Sequence, residues 1–286
     1  MTHVPTLFDV GSVTHAGRVR ERNEDSFLVR TDVGLWAVAD GMGGHEAGDL
    51  ASRIVVQSLD AIGTLESAAD LLAECEVRLF SANQQILALS QERQGATVGT
   101  TAAVLLVRDG YYACVWAGDS RVYLISRGII NQVSHDHSEL EELIAEGALS
   151  REDVKDWPNN AITRAVGVAD DPEFEVVTGP AAPEDIFVIC SDGLTKHVQD
   201  EEILQHAATR RAQAACDDML ALALDRGGLD NVTIVIVRLL APQSREPTRT
   251  PLDWKPQSCP RTIRSDRPTE ACRPAPASTA STRSKR

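Results

Sequence analysis

Strand-like segments that are apolar on consecutive positions limit the folds open to this chain of 286 residues. Residues 102–107 and 232–237 carry such runs, which indicate strands covered on both faces of a sheet. The Asp109-Gly110 and Arg127-Gly128 pairs are typical of tight hairpin turns, so we expect neighbouring strands to be antiparallel. An antiparallel sheet covered on both faces has to pack against further layers.

Other segments of the chain add strands and helices to this frame. The predicted strands are residues 8–13, 35–40, 100–107, 111–117, 121–125, 186–190 and 231–239. The predicted helices are residues 46–62, 66–90, 138–146 and 201–225, where apolar residues recur at helical spacing. Because strands come as hairpins and helices as pairs, we expect an α+β fold of two packed antiparallel β-sheets flanked by helices.

The composition changes near Ala241. The remaining segment holds eight of the thirteen prolines and few apolar residues, which predicts a disordered, basic, Pro/Arg/Ser/Thr-rich tail over residues 241–286. The chain carries a net charge of −14, and the ten basic and four acidic residues of the tail leave residues 1–240 at −20. A domain this acidic should repel nucleic acid and anionic membranes.

Cysteine usage and the N-terminus bear on the compartment. The six cysteines form no C-x-x-C pair, which favours reduced thiols in a cytosolic protein. Residues 1–10 lack a basic segment followed by an apolar run, and no stretch reaches the roughly 18 apolar residues that cross a bilayer. We therefore expect a soluble, cytoplasmic protein that binds neither nucleic acid nor membrane.

Four aspartates stand beside Gly, Ser or Asn at the ends of predicted strands. They are Asp40, Asp119, Asp192 and Asp230. Strand ends along one edge of a sandwich can converge on one cleft, and carboxylate oxygens are the ligands that Mg²⁺ and Mn²⁺ select. A lone Asp-Gly pair is more often a turn. The glycines that follow Asp40 and precede Asp230 distinguish these positions from ordinary turns and indicate a metal site.

The motifs around these aspartates resemble, in order and spacing, those of the bacterial metal-dependent protein serine/threonine phosphatases of type 2C. They are residues 20–25 (RERNED), 38–44 (VADGMGG), 99–101 (GTT), 118–121 (GDSR), 162–167 (ITRAVG), 191–194 (SDGL) and 230–233 (DNVT). The resemblance covers about residues 8–239, so it makes residues 1–240 the catalytic domain. It implies an α-β-β-α four-layer sandwich, in agreement with the strand and helix pattern.

The resemblance also implies a role for each site residue. Asp40 would bridge two Mn²⁺ or Mg²⁺ ions, Gly41 would offer its carbonyl, Asp192 and Asp230 would complete the ligands, and Glu24 and Asp25 would hold metal-bound waters. Arg20 would bind the substrate phosphate, because a planar guanidinium matches phosphate oxygens. Asp119 matches the ligand of a third, weaker ion. Catalysis would rest on Arg20, Asp40, Asp192 and Asp230, with an activated water attacking the phosphorus.

Two residues depart from the family pattern. Met42 stands where many eukaryotic members have a histidine proposed as the general acid, whereas many bacterial members share the methionine. A metal-bound water or solvent would then protonate the leaving oxygen. Lys196 stands where similar proteins often have an aspartate whose carboxylate binds a third metal ion. We expect its ammonium to pair with Asp119 or Asp192 and to leave two tight ions with a weak or absent third. Lys196 turning toward solvent is the alternative.

Three functions remain open at this point. The chain is expected to be an active phosphoprotein phosphatase because Arg20, Asp40, Asp192 and Asp230 are all present. A catalytically weak metal-binding regulatory module and a metallohydrolase of small phosphoesters are the alternatives. For the first function, the implied partners are phosphorylated proteins, including a serine/threonine kinase or its targets, and the chain is expected to be a monomer. Residues 138–160 correspond to a variable segment beside the cleft and should affect which phosphoprotein docks.

Overall fold

A computed structural model of the chain describes residues 7–43, 47–93, 97–149 and 161–241. The strands within these ranges are β1 (Leu7–His15), β2 (Asp25–Arg30), β3 (Leu35–Gly43), β4 (Val98–Thr100), β5 (Ala102–Arg108), β6 (Tyr111–Ala117), β7 (Arg121–Ser126), β8 (Ile129–Gln132), β9 (Glu175–Pro180), β10 (Ile186–Cys190) and β11 (Val232–Leu240). The helices are α1 (Ala47–Asp60), α2 (Ala68–Glu92), α3 (Glu139–Ala145), α4 (Asp192–Thr195), α5 (Asp200–Thr209) and α6 (Ala212–Asp225).

The strands form two antiparallel sheets. One sheet has the order β1-β11-β10-β7-β8, and the other has the order β2-β3-β5-β6-β9, with β4 paired to β3. The two predicted hairpin turns join β5 to β6 and β7 to β8. Asp109 and Gly110 have φ values of 54° and 80°, and Arg127 and Gly128 have 53° and 78°. Two successive positive φ values give a turn whose twist matches the flanking strands, so these hairpins are confirmed.

Side chains of the central strands alternate between separate cores. In β3, Leu35 and Ala37 pack in the cluster under α1 and α2, whereas Trp36 lies in the core between the sheets. In β10, Val188 joins the cluster under α5 and α6, whereas Phe187 lies between the sheets. This alternation is the two-residue period of a strand. Runs that are apolar on consecutive positions therefore fill two cores at once, and the predicted four-layer sandwich is confirmed.

The observed elements differ from the predicted ones at several places. Strands β2, β8 and β9 were not predicted, because they lie at or near the sheet edges and their residues are largely half-exposed or exposed. The predicted helix over 201–225 is two helices. The chain is extended at Arg210 (φ −117°, ψ 162°), and the N–H of Ala212 donates to Asp9 at 3.1 Å. A contact with β1 interrupts a helical pattern that the local sequence carries through without a break.

Some predicted features lie outside the described residues. These are the helix start at Glu46, the second half of the segment 138–160, and the tail beyond Ala241. Within the described ranges, no helix has both the length and the apolar character that crossing a bilayer requires.

Candidate metal centre

The first part of the centre forms where β2 begins and β3 nears its end. Asp25 and Asp40 face each other as partners in the antiparallel β2–β3 pairing. The backbone of Asp40 is held by neighbouring threonines. Its N–H donates to Thr101 Oγ1 at 2.9 Å, and its carbonyl accepts from Thr101 N at 2.8 Å and from Thr100 Oγ1 at 2.9 Å. The position of the Asp40 carboxylate therefore depends on the adjoining strand.

The residue after Asp40 has to be glycine. Gly41 is buried, and a Cβ on it would collide with the carbonyl oxygen of Gly48 in α1 and would crowd the carbonyl of Glu24. The Glu24 carboxylate accepts a hydrogen bond from the backbone of Gly48, and burial followed by the charge of Asp49 raises its pKa. Helix α1 thus brings Glu24 beside the Asp40-Gly41 pair.

The second sheet supplies the other two strand-end aspartates. Asp192 begins α4 directly after β10, and Asp230 directly precedes β11. Asn231 joins the two sheets, because its Oδ1 accepts from Glu24 N at 2.8 Å and its Nδ2 donates to the carbonyl of Arg22 at 2.8 Å. The centre therefore spans the edge of both sheets, as convergence of strand ends predicts.

Asp25 is 7% exposed and is held by two hydroxyl groups of the other sheet. Its Oδ2 accepts from Ser191 Oγ at 2.8 Å and from Thr233 Oγ1 at 2.7 Å. Its Oδ1 is buried and has no hydrogen-bond partner among the described residues. Burial raises the pKa of Asp25 to about 6, although both hydroxyl donors oppose the rise.

Mutual repulsion perturbs the remaining carboxylates. Burial raises the pKa of Asp40 well above its usual range, and four neighbouring carboxylates add to the rise. These neighbours are Asp25, Asp192, Asp119 and Asp230. Burial, reinforced by the charge of Asp192, raises the pKa of Asp119 to about 7. Each of these shifts reports a cost of holding negative charge that a bound cation would relieve.

The donor set fits a hard divalent cation such as Mn²⁺ or Mg²⁺. Asp25 Oδ1, Asp119 Oδ1 and Asp192 Oδ1 are buried oxygens without a hydrogen-bond partner in the described structure. Buried polar atoms are rarely left unpaired unless an ion or water satisfies them, and oxygen ligands are those that Mn²⁺ and Mg²⁺ prefer. Among the described residues, no three Asp, Glu, His or Cys side chains form a group at metal-ligand spacing.

Two cationic side chains reach the same carboxylates. Arg20 Nε and Nη2 lie 2.9 and 3.1 Å from Asp230 Oδ1 and Oδ2. Lys196 Nζ lies 2.6 Å from Asp192 Oδ2 and 2.9 Å from Asp230 Oδ2. The expected pairing of Lys196 is therefore found with Asp192. Asp230 is an additional partner, and no hydrogen bond or ion pair to Asp119 is present in the described structure.

The two cations change the ionisation of the groups that they contact. Burial favours the neutral form of Asp230, but Lys196, the Asn231 N–H and Arg20 together outweigh burial, so the pKa of Asp230 is lowered. Burial likewise disfavours the Lys196 ammonium, yet Asp192 and Asp230 raise its pKa above the usual range. Lys196 is therefore charged at neutral pH and does not turn away into solvent.

The contacts of several supporting residues were not predicted. Ser191 and Thr233 donate to Asp25 and Thr101 holds Asp40, as described above. His137 holds the turn before Asp119. Its side-chain Nδ1 accepts from Gly118 N at 3.1 Å, and its backbone N–H donates to the Gly118 carbonyl at 3.0 Å. Three of these residues belong to the motifs 99–101, 191–194 and 230–233, so the motif set contained the signal without assigning the contacts.

Known proteins share this sequence pattern. The sequence profile of the Protein phosphatase 2C family matches residues 14–226. The chain is 34% identical over 237 residues to the serine/threonine phosphatase stp of Listeria monocytogenes, covering 78% of this chain and 93% of that protein. It is 32% identical over 237 residues to the serine/threonine protein phosphatase PstP of Mycobacterium tuberculosis, covering 82% of this chain and 46% of PstP. The chain therefore spans about half the length of that relative.

Solved structures share the fold. The crystal structure of PstP superposes with a TM-score of 0.77 at 32% identity, covering 82% of this chain and 99% of the other. The PstP catalytic domain in complex with two manganese ions gives a TM-score of 0.75 at 31% identity, covering 82% of this chain and 100% of the other. PppA of Pseudomonas aeruginosa gives 0.75 at 34% identity, covering 82% and 98%. The chain belongs to the protein phosphatase 2C family.

Proposed function

We propose that the chain is a metal-dependent protein serine/threonine phosphatase that hydrolyses phosphoserine and phosphothreonine at a centre of two Mn²⁺ or Mg²⁺ ions. The observation that carries this proposal is the convergence of Asp40, Asp192 and Asp230 from two sheets on one cleft, with buried, unpaired carboxylate oxygens beside them. The family membership and the two manganese ions in the PstP catalytic domain support it.

The division of labour follows from the chemistry of each group. Bound divalent ions supply Lewis acidity and an attacking water of lowered pKa. Asp40, Asp192 and Asp230 would hold the ions, together with the carbonyl of Gly41. Asp25 is suited to accept a hydrogen bond from a metal-bound water through its unpaired Oδ1. Glu24, whose carboxylate accepts a hydrogen bond from the backbone of Gly48, would likewise hold a water.

Arg20 binds the phosphate in this proposal. Its side chain is 55% exposed at the mouth of the centre, where its Nε and Nη2 already form a two-point contact with the Asp230 carboxylate. A guanidinium makes the same two-point contact with phosphate oxygens. Hydrolysis breaks the bond between phosphorus and the serine or threonine oxygen, and the water oxygen takes its place. Met42 has no proton to give, so the leaving oxygen takes its proton from water.

The test compares two Asp-Gly pairs of the same chain. Asp40→Asn should lower the rate of Mn²⁺-dependent hydrolysis of a phosphothreonine peptide by several orders of magnitude, because it removes a charge that holds the ions. Asp109→Asn is the matched control, since Asp109 lies in the β5–β6 turn at φ 54°, where Asn is tolerated. Circular dichroism should show both variants folded. Near-normal turnover of Asp40→Asn, or activity that survives a chelator, would contradict the proposal.

The same assay separates the two alternatives. Mn²⁺ binding without turnover of any phosphopeptide would identify a regulatory module. Hydrolysis of small phosphoesters with a higher kcat/KM than phosphopeptides would identify a small-molecule hydrolase. The stp and PstP relatives are named as serine/threonine phosphatases, which favours the phosphoprotein reading.

The proposal extends to partners and location. Its substrates are phosphorylated proteins, including a serine/threonine kinase or the targets of that kinase, and the enzyme acts as a monomer in the cytoplasm. The buried free thiols of Cys75, Cys114, Cys190 and Cys216 support a reducing compartment. The segment 138–160 and the tail 241–286 are the proposed determinants of partner choice. A phosphoproteome measured with and without the protein would identify the substrates.

A further inference from the structure

The backbone places Lys196 directly over the metal-binding carboxylates. Helix α4 is a single turn that begins at Asp192, and Lys196 N donates to the Asp192 carbonyl at 2.9 Å. This turn brings Nζ to within 2.6 Å of Asp192 Oδ2, while Asp192 Oδ1 stays buried without a partner in the described structure. One oxygen of Asp192 is therefore occupied by the ammonium and the other is left for an ion.

Lys196 also joins two ligands from different parts of the chain. Its contact with Asp230 at 2.9 Å spans 34 residues and links α4 to the loop before β11. The lysine side chain is 43% exposed, whereas those of Asp192 and Asp230 are 21% and 19% exposed. The ammonium thus contacts both carboxylates and is itself partly open to solvent.

The charges around the centre balance with two ions when Lys196 is included. Two neighbouring carboxylates, Asp49 and Asp136, are already paired with Arg53 and Arg121. Six more carboxylates face or border the site, namely Glu24, Asp25, Asp40, Asp119, Asp192 and Asp230. Two divalent ions, Arg20 and Lys196 supply six positive charges. Electrostatic balance therefore needs no further cation.

Asp119 is the carboxylate that a further ion would use. It is 7% exposed, its Oδ1 has no partner among the described residues, and the charge of Lys196 acts on it. An ion held between Asp119 and Asp192 would lie beside the ammonium and be repelled by it. Lysine offers no ligand oxygen in compensation.

We propose that the Lys196 ammonium takes the place of a third divalent cation, so that this chain binds two ions and leaves Asp119 without one. This inference rests on the proposed function. Lys196 is a positioning residue here: it holds the outer oxygens of Asp192 and Asp230 and lowers the affinity of the ions through its charge.

The test counts ions rather than turnover. The chelated full chain is titrated with Mn²⁺ in a calorimeter, and bound manganese is counted by elemental analysis after dialysis. We expect two ions in the wild type, three in Lys196→Asp, and two again in the double variant Lys196→Asp/Asp119→Asn. Three ions in the wild type, or two in Lys196→Asp, would overturn the inference.

A neutral variant separates charge from ligation. Lys196→Met removes the ammonium without supplying an oxygen, so the count should stay at two while Mn²⁺ affinity rises about tenfold or more, because a repulsive charge is lost. Unchanged affinity would show that the ammonium does not act on the ions. If no variant binds manganese, the proposed function fails together with this inference, whereas three ions in the wild type refute the inference alone.

Discussion

We expect the hydroxyl group of Thr233 to keep the pKa of Asp25 low and so to favour metal binding at this centre. Thr233 Oγ1 and Ser191 Oγ are the two hydroxyl donors to Asp25 Oδ2. Thr233→Val removes one donor and keeps the size and branching of the side chain. A hydrogen bond to a charged group contributes about 1.5–3 kcal/mol, and one pKa unit corresponds to about 1.4 kcal/mol. We therefore expect the pKa of Asp25 to rise from about 6 by roughly 1–2 units.

The rise has a defined effect on metal affinity. At about pH 6.5 the ionised fraction of Asp25 should fall from roughly three quarters to roughly one tenth, which weakens Mn²⁺ binding about eightfold relative to the wild type. At about pH 8.5 Asp25 is mostly ionised in both proteins, so the pH-dependent loss of Mn²⁺ affinity nearly vanishes. Any remaining loss at high pH reports poorer positioning of the carboxylate.

Isothermal titration calorimetry with Mn²⁺ at the two pH values measures this effect. Thr14→Val is the matched control, because Thr14 Oγ1 lies 2.7 Å from Thr233 Oγ1 and is not a donor to Asp25 in the described structure. Thermal unfolding shows whether each variant is folded. A loss of affinity that is equal at both pH values, or equal in Thr14→Val, would refute the proposed role of the Asp25 hydrogen bonds.

Three further predictions concern packing, pH and the tail. Gly193→Ala should destabilise the protein by about 1–3 kcal/mol or more, since the added Cβ would collide with the carbonyl of Asn231. A Cβ on Gly63 meets nothing within 4 Å, so Gly63→Ala should change the free energy of unfolding little. On folding the pKa of Asp25 rises from 3.8 to about 6 and that of Asp119 from 3.8 to about 7. The native state therefore binds more protons than the unfolded chain, and the chelated protein should melt higher at about pH 5 than at about pH 8; the opposite trend in calorimetry would contradict this. Deleting residues 241–286 should leave turnover of a small phosphoester nearly unchanged, and a large loss of turnover would refute the predicted independence of the tail.

Local pattern determined much of the fold and the composition of the site. Apolar residues on consecutive strand positions and two hairpin turns were sufficient to predict packed antiparallel sheets, because strand period and turn chemistry act over a few residues. Edge strands such as β8 and β9 were not predicted because one-sided or weak burial leaves little pattern in their sequence.

Candidate site residues could be proposed from sequence, since a metal centre requires particular donor atoms. Asp40, Asp192 and Asp230 carry the required carboxylates, and Arg20 carries the guanidinium. Their charges and donor types are properties of single residues and do not depend on packing.

Only the tertiary structure decided which groups meet. Sequence suggested Asp119 or Asp192 for Lys196, yet the ammonium contacts Asp192 and also Asp230, 34 residues away. Asp25 receives its hydrogen bonds from Ser191 and Thr233, which lie 166 and 208 residues further along the chain. Such partners depend on how two sheets pack and where their loops come together, and a distance in space between remote segments leaves no trace in local periodicity.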